Sequence, residues 1–302
     1  MSLMKKVGIG IGGTLLVVGV LALYGIWSSG AWHLVFPSTH FDTEAPEIPA
    51  SFGTGDKGQR QIRVLVFSKT NSFRHKEGIP AARELLDRLA PSKNWALYHS
   101  ENSALFDPVH LARFDVVVFS NATGNMLGEE QDIAFQEWIE GGGGWLGIHS
   151  AGDDSHEDWD WYHSNLIGGE FAGHIMGPQT QEARVIVENP NHPVTRNLPS
   201  EFQHSEEWYS WKTSARTHGM NILLTVDESS YSPWIKIMGS ETDIRMEDHP
   251  IAWWRCVGEG RTVYSTMGHW AAAYETEHFP VFIANAIDWA AGLTGNECRS
   301  GS

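Results

Sequence analysis

The sequence predicts an α/β domain built on a doubly wound, largely parallel sheet, preceded by one apolar N-terminal helix. Three observations carry this reading. Short runs rich in β-branched residues alternate with helix-like segments, which is the order of βαβ units. The runs are continuously apolar rather than alternating, as expected of strands covered on both faces. The chain is also long and apolar enough for one large core, since 41% of its 302 residues are hydrophobic and only 19% charged.

The first element is the stretch Val7 to Trp27, about 21 residues without a charge. As a helix rising ~1.5 Å per residue it reaches roughly 30 Å, the thickness of a bilayer core. Lys5 and Lys6 precede it, whereas Asp42, Glu44, Glu47 and Asp56 come before the next lysine, Lys57. That asymmetry places the N-terminus in the cytoplasm and the rest of the chain outside, in the periplasm. Residues 1–28 therefore read as a signal-anchor and transmembrane helix. Cleavage after the small residues Ser29-Gly30-Ala31 remains open, as does a buried soluble helix. Residues 29–60, rich in Pro, Gly, Ser and Thr, read as a linker. The globular domain is expected over 61–293, with a C-terminal tail at 294–302.

Within the domain, Ile62–Phe67 reads as a strand and Glu77–Leu89 as the helix that follows it. Asp115–Phe119 and Glu129–Glu140 form the next such pair, and Trp145–Ile148 with the stretch from Asp158 to Ile167 the third. Arg184–Val187, Ile222–Val226, Ile251–Val257 and Thr262–Thr266 extend the sheet, and Phe279–Ala291 closes the domain as a helix. A net charge of −16 without a basic cluster argues against nucleic acid as a partner. Cys256 and Cys298, the only cysteines, exclude a cysteine zinc site and any cysteine nucleophile of the amidase kind. In an oxidising periplasm they would be free to tie the tail to the sheet, or Cys256 would be a small buried hydrophobe.

Ligands of open parallel sheets sit beyond the carboxyl ends of the strands. Four such ends carry polar clusters: Ser68 to His75, Ser120 to Gly124, His149 to Asp153, and Gly268-His269-Trp270. The four glycines from Gly141 to Gly144 precede a strand rather than joining strand to helix, so they read as a turn and not as a phosphate loop. Gly147-Ile148-His149-Ser150-Ala151 has the shape of a nucleophile elbow, with His in the place of Ser or Cys. An imidazole there suits a general base or a metal ligand better than a nucleophile.

These residues resemble the ThuA-like (trehalose-utilisation) family. The resemblance runs from about Arg63 to Leu293. Its motifs are Ser72-Phe73-Arg74-His75, Gly143 through Ser150, Gly168-Gly169-Glu170-Phe171-Ala172-Gly173-His174, Glu206-Glu207-Trp208-Tyr209, His249-Pro250 and Gly268-His269. It implies a flavodoxin-like fold similar to class I glutamine amidotransferases, and chemistry on sugars, including oxidised keto sugars. Carried over residue by residue, it implies a site of Arg74, His75, His149, His174, Glu207 and His269. His149, Glu207 and His269 are the expected catalytic groups. Arg74, His75, His174, Asp153, Trp161 and Trp270 are the expected substrate-binding groups, because aromatic faces stack on pyranose rings. Trp159, Trp208 and Trp211 stand close to the same motifs. His192 and His249, each before a proline, read as structural.

Two functions follow as expectations. One is an exported enzyme, of keto-sugar isomerase, lyase or glycoside hydrolase type, using histidine and carboxylate to move protons on a small carbohydrate, with or without a divalent metal. The other is a non-catalytic carbohydrate-binding module on the same fold. No HxH or HExxH spacing marks a metal site in the sequence.

Overall fold

A computed structural model describes residues 3–55, 58–153, 156 and 159–298, with side chains from residue 14 onward. Lys5, Lys6, Asp56, Lys57 and Asp158, used above, lie outside the described side chains, as do the last residues of the expected tail.

The strands are β1 (Ile62–Phe67), β2 (Trp95–Ser100), β3 (Val116–Ser120), β4 (Gly144–Ile148), β5 (Phe171–His174), β6 (Gln181–Val187) and β7 (Glu201–Glu206). They continue with β8 (Tyr209–Trp211), β9 (Asn221–Val226), β10 (Trp234–Ile237), β11 (Ser240–Asp243), β12 (Pro250–Val257) and β13 (Gly260–Ser265). Nine of them form one sheet in the order β2-β1-β3-β4-β13-β12-β9-β6-β7. The first five run parallel, and their order is that of a flavodoxin-like sheet. The remaining four are antiparallel to their neighbours. The change of direction comes at the β12–β13 hairpin, where Gly258 (φ +60°) would place a Cβ 2.4 Å from the Glu140 carbonyl oxygen.

Helices Gly78–Lys93 and Phe279–Ala290 cover one face and Glu129–Glu140 the other, so the sheet separates two apolar clusters. Val116 to Ser120 and Gly144 to Ile148 are wholly buried, which is why their sequences carry no polar alternation. The stretch expected to be helical up to Ile167 holds only short turns, Asp160–Tyr162 and the π-turn His163–Ile167. Its aromatic residues fill the core instead, Trp159 and Tyr162 stacking at 5.1 Å.

An N-terminal helix does form, over Leu3–Ser29. Among the described residues no helix is long and apolar enough to cross a membrane. Its described part exposes Leu15, Leu16, Val17, Val18, Val20 and Leu21. At its end Gly30 is buried against the domain, its carbonyl accepting the Arg74 amide at 3.0 Å. Residues 37–55, of linker composition, lie on the domain surface. Ile48 enters the core, Phe52 packs on Tyr98 and Phe114, and Asp42 pairs with buried Lys69 at 2.6 Å. Cys256 and Cys298 are joined in a disulfide, their Cα atoms 5.2 Å apart.

Candidate active site

The first turn after β4 sets the site. His149 takes φ 51°, a left-handed conformation that costs energy for any residue with a Cβ. Gly147 lets the strand pass beneath it, since a Cβ there would come within 2.3 Å of the Trp145 ring. Tyr264 on neighbouring β13 donates to the His149 carbonyl at 2.6 Å and holds the bend. The geometry is that of an elbow, and it aims the imidazole along the carboxyl edge of the sheet.

Three other elements bring partners to the same point. His75 comes from the loop after β1 and His269 from the loop after β13, both strand ends of the parallel half. Glu207 follows β7, at the far antiparallel edge. It arrives because the chain leaves the sheet there, and β8 pairs with β5 across the carboxyl edge. His75, His149, Glu207 and His269 are all buried, and one ligand atom from each falls in a set lying within 4.8 Å of one another. His149 Nε2 is 2.9 Å from His269 Nδ1 and 3.3 Å from Glu207 Oε2, and His269 Nδ1 is 2.9 Å from the same oxygen.

A second layer orients these groups. His149 Nδ1 donates to the Thr266 carbonyl at 2.6 Å, and the Tyr209 hydroxyl approaches Nε2 at 3.0 Å. The Ser150 hydroxyl donates to Asn121 Oδ1 at 3.2 Å and so accepts from His75 Nδ1 at 3.1 Å. Glu207 Oε1 accepts from Gln179 and lies 3.1 Å from His174 Nδ1, which also faces the Ile175 carbonyl at 3.0 Å, leaving Oε2 for the other histidines. Glu206 takes no part in this set. Its carboxylate accepts the backbone N–H of Glu207 at 2.8 Å, of Gly268 at 2.6 Å and of His269 at 3.3 Å.

The electrostatics follow from burial. Burial by itself raises the Glu207 carboxyl, but the neighbouring His149 and His269 rings outweigh it, so the group lies well below the usual carboxylate range. Glu207 is therefore a poor proton carrier near neutral pH. His75 is pushed well below the ordinary imidazole value, first by burial and then by the neighbouring His149 and His269, and stays neutral. Ser150, whose proton goes to Asn121, is not activated as a nucleophile.

His75, Glu207 and His269 line a cleft of about 300 Å³ walled by Phe73, Phe171, Tyr209, Asp153, His174 and Gln179, while His149 in contact with them is fully buried. Asp153 and His174 both line this cleft, and Trp270 packs on the His269 ring at 4.3 Å. Two expected binding residues lie elsewhere. Arg74 turns away to pair with Glu101 at 2.6 Å, beside a separate hollow of about 540 Å³ with Lys76 and Arg83. Trp161 stacks on Trp159 and donates to Glu140, far from the cleft walls. Trp208 and Trp211 are core residues, Trp211 edge-on to Trp253. His249 is buried between Glu228 and the Tyr209 carbonyl, and His192 stacks on Trp254. Glu206 and Tyr209 lie inside a family motif and Asn121 in a strand-end cluster, yet none of these, nor Gln179, was among the expected site residues. The positive φ of Asn121 (52°) belongs to a residue type that tolerates it, and its place at a strand end was the available signal.

A family model described as trehalose utilisation, ThuA, matches residues 63–290. The chain belongs to the ThuA family. Among solved structures it is similar to a ThuA-like protein from Bacteroides uniformis, with 25% identity, TM-score 0.66, and coverage of 82% of this chain and 95% of that one. A second ThuA-like protein, from Parabacteroides merdae, shares the fold at 18% identity and TM-score 0.58, over 77% of this chain and 90% of that one. No curated protein matches significantly. The matched span of this ThuA-family chain contains every residue of the cluster and of its second layer.

Proposed function

We propose that this ThuA-family chain is an exported, membrane-tethered enzyme that acts on a small carbohydrate, with a keto sugar or glycoside as substrate. The observation that carries the reading is the cluster of His75, His149, Glu207 and His269, three of which line a cleft with aromatic walls. The family's description as trehalose utilisation supports a sugar. Phe73, Phe171 and Tyr209 supply faces on which a ring would stack, and Asp153, His174 and Gln179 supply polar edges for its hydroxyls. Because Glu207 is a poor proton carrier, Asp153 and His174 are the lining groups assigned to proton exchange, while the cluster holds the reacting oxygen.

The tether rests on the uncharged stretch Val7 to Trp27 of the sequence, and export is supported by the Cys256–Cys298 disulfide. The purified full chain should turn over one of a panel of disaccharides and their 3-keto derivatives, and His149→Ala should abolish that turnover. Saturable binding without turnover would sink the enzyme and leave a carbohydrate-binding module. Protease added to spheroplasts should digest the domain; protection until lysis would overturn the orientation.

A further inference from the structure

We infer that His75, His149, Glu207 and His269 form a binding site for one divalent transition-metal ion, with zinc the ion that fits first. The inference deepens the proposed function by naming a cofactor for the same site, and it rests on the geometry of the four residues rather than on turnover.

The proton positions are the first reason. His149 Nδ1 faces a carbonyl, which can only accept, so that nitrogen carries the hydrogen and Nε2 presents its lone pair, with the Tyr209 hydroxyl 3.0 Å away as its one protein donor. Ser150 spends its one hydrogen on Asn121, so His75 Nδ1 must be the donor to it, and His75 Nε2 is bare in turn. Glu207 Oε1 accepts from Gln179 and lies 3.1 Å from His174 Nδ1, and the carboxylate offers Oε2. Lone pairs aimed at one buried point repel unless a proton or a cation sits among them.

Shape is the second reason. The three imidazole rings stand nearly at right angles to one another, at 84°, 86° and 89°, with centroids 4.7, 4.8 and 4.9 Å apart. The donor atoms of His149, His269 and Glu207 are separated by 2.9, 2.9 and 3.3 Å. A tetrahedral zinc about 2.0–2.2 Å from each ligand holds its donors roughly 3.3 Å apart. His75 completes the set within 4.8 Å.

The third reason is the second layer. Each metal-binding histidine in such sites hands its other ring nitrogen to a carbonyl, carboxylate or hydroxyl, which fixes the tautomer. His149 with Thr266, and His75 with Ser150 and Asn121, have that arrangement already. Three imidazoles and one carboxylate suit zinc better than calcium or magnesium, which take oxygen ligands. Held by four residues, such an ion would have to expand to five-coordinate to take and polarise a sugar carbonyl or hydroxyl oxygen.

The test uses the full chain purified in detergent, stripped with a chelator and dialysed. Zinc is titrated in competition with a chromophoric chelator, and cobalt(II) is titrated in parallel to read the coordination geometry. One equivalent of zinc should bind, cobalt should give an intense tetrahedral visible spectrum, and zinc should raise the Tm of the wild-type chain. His269→Ala should weaken zinc by about 100-fold or more, and Ser150→Ala by about 10-fold, as loss of an outer partner does. Absence of stoichiometric zinc and cobalt binding by the folded wild-type chain would overturn the site, whatever the variants do. Stoichiometric binding without turnover would leave the site standing and sink the proposed enzyme, so the two failures are distinct.

Discussion

Glu206 and Glu207 are adjacent, both buried, and turned toward opposite tasks: Glu206 grips three backbone N–H groups, Glu207 faces three histidines. The divergence arises because β7 ends at Glu206 and the chain turns there toward β8. Two of the amides that Glu206 holds belong to Gly268 and His269, so it fixes the loop from which His269 reaches the cluster. Hydrogen bonds to a charged acceptor contribute about 1.5–3 kcal/mol each when measured singly, and they are not additive.

The first prediction separates the two. Glu206→Gln keeps an acceptor but brings an NH₂ against backbone donors, so chemical denaturation should show a loss of roughly 2–4 kcal/mol. Glu207→Gln should remove turnover with a smaller loss of stability. Equal destabilisation by both would mean that the division of labour is wrong.

Gly147 tests the elbow. Its missing side chain is where Trp145 and Tyr264 pack, at 2.3 and 3.0 Å from a Cβ. Gly147→Ala should therefore cost about 1–3 kcal/mol by overpacking, read as a lower urea midpoint with an unchanged m-value. A variant as stable as wild type would show that β4 and β13 can shift apart freely.

The Cys256–Cys298 bridge closes a loop of 42 residues. By chain entropy it contributes roughly 3–4 kcal/mol, so a Cys298→Ser variant or added reductant should lower the Tm by several degrees. The denatured, unreduced protein should show no titratable thiol. Two free thiols would mean that the bridge does not form.

Asp42 gives a pH dependence. Burial pushes its carboxyl up, but Lys69 and Ser103 outweigh this and hold it at about 2, against 3.8 for a free aspartate. A depressed carboxylate stabilises the fold above its unfolded pKa, and that contribution is lost as pH falls through the folded value. The Tm gap between wild type and Asp42→Asn should be full at pH 7, shrink below about pH 5 and vanish near pH 2. A gap independent of pH would rule out the Asp42–Lys69 pair as its source. Because Asp42, Ile48 and Phe52 are all packed on the domain, removing residues 1–58 should destabilise it where removing 1–29 does not.

Composition and periodicity determined the parallel half of the molecule. Runs such as Val116 to Ser120 and Gly144 to Ile148 are apolar throughout because both faces are covered, and that pattern is local. The same logic led to His75, His149 and His269, since the carboxyl ends of parallel strands face one edge whatever the rest of the chain does. Edge and outer strands such as β2, β7 and β8 were not legible in this way, because they are short or half exposed and their pairing depends on distant segments. Only the tertiary structure decided that Glu207 meets those histidines, by folding β8 over the sheet edge from a strand four places away from β13. Only it decided that Arg74 turns to Glu101, that Trp161 joins the core, and that the Pro- and Gly-rich segment after the first helix packs on the domain. Side-chain direction and long-range pairing are set by which surfaces meet, and the sequence holds no local record of that.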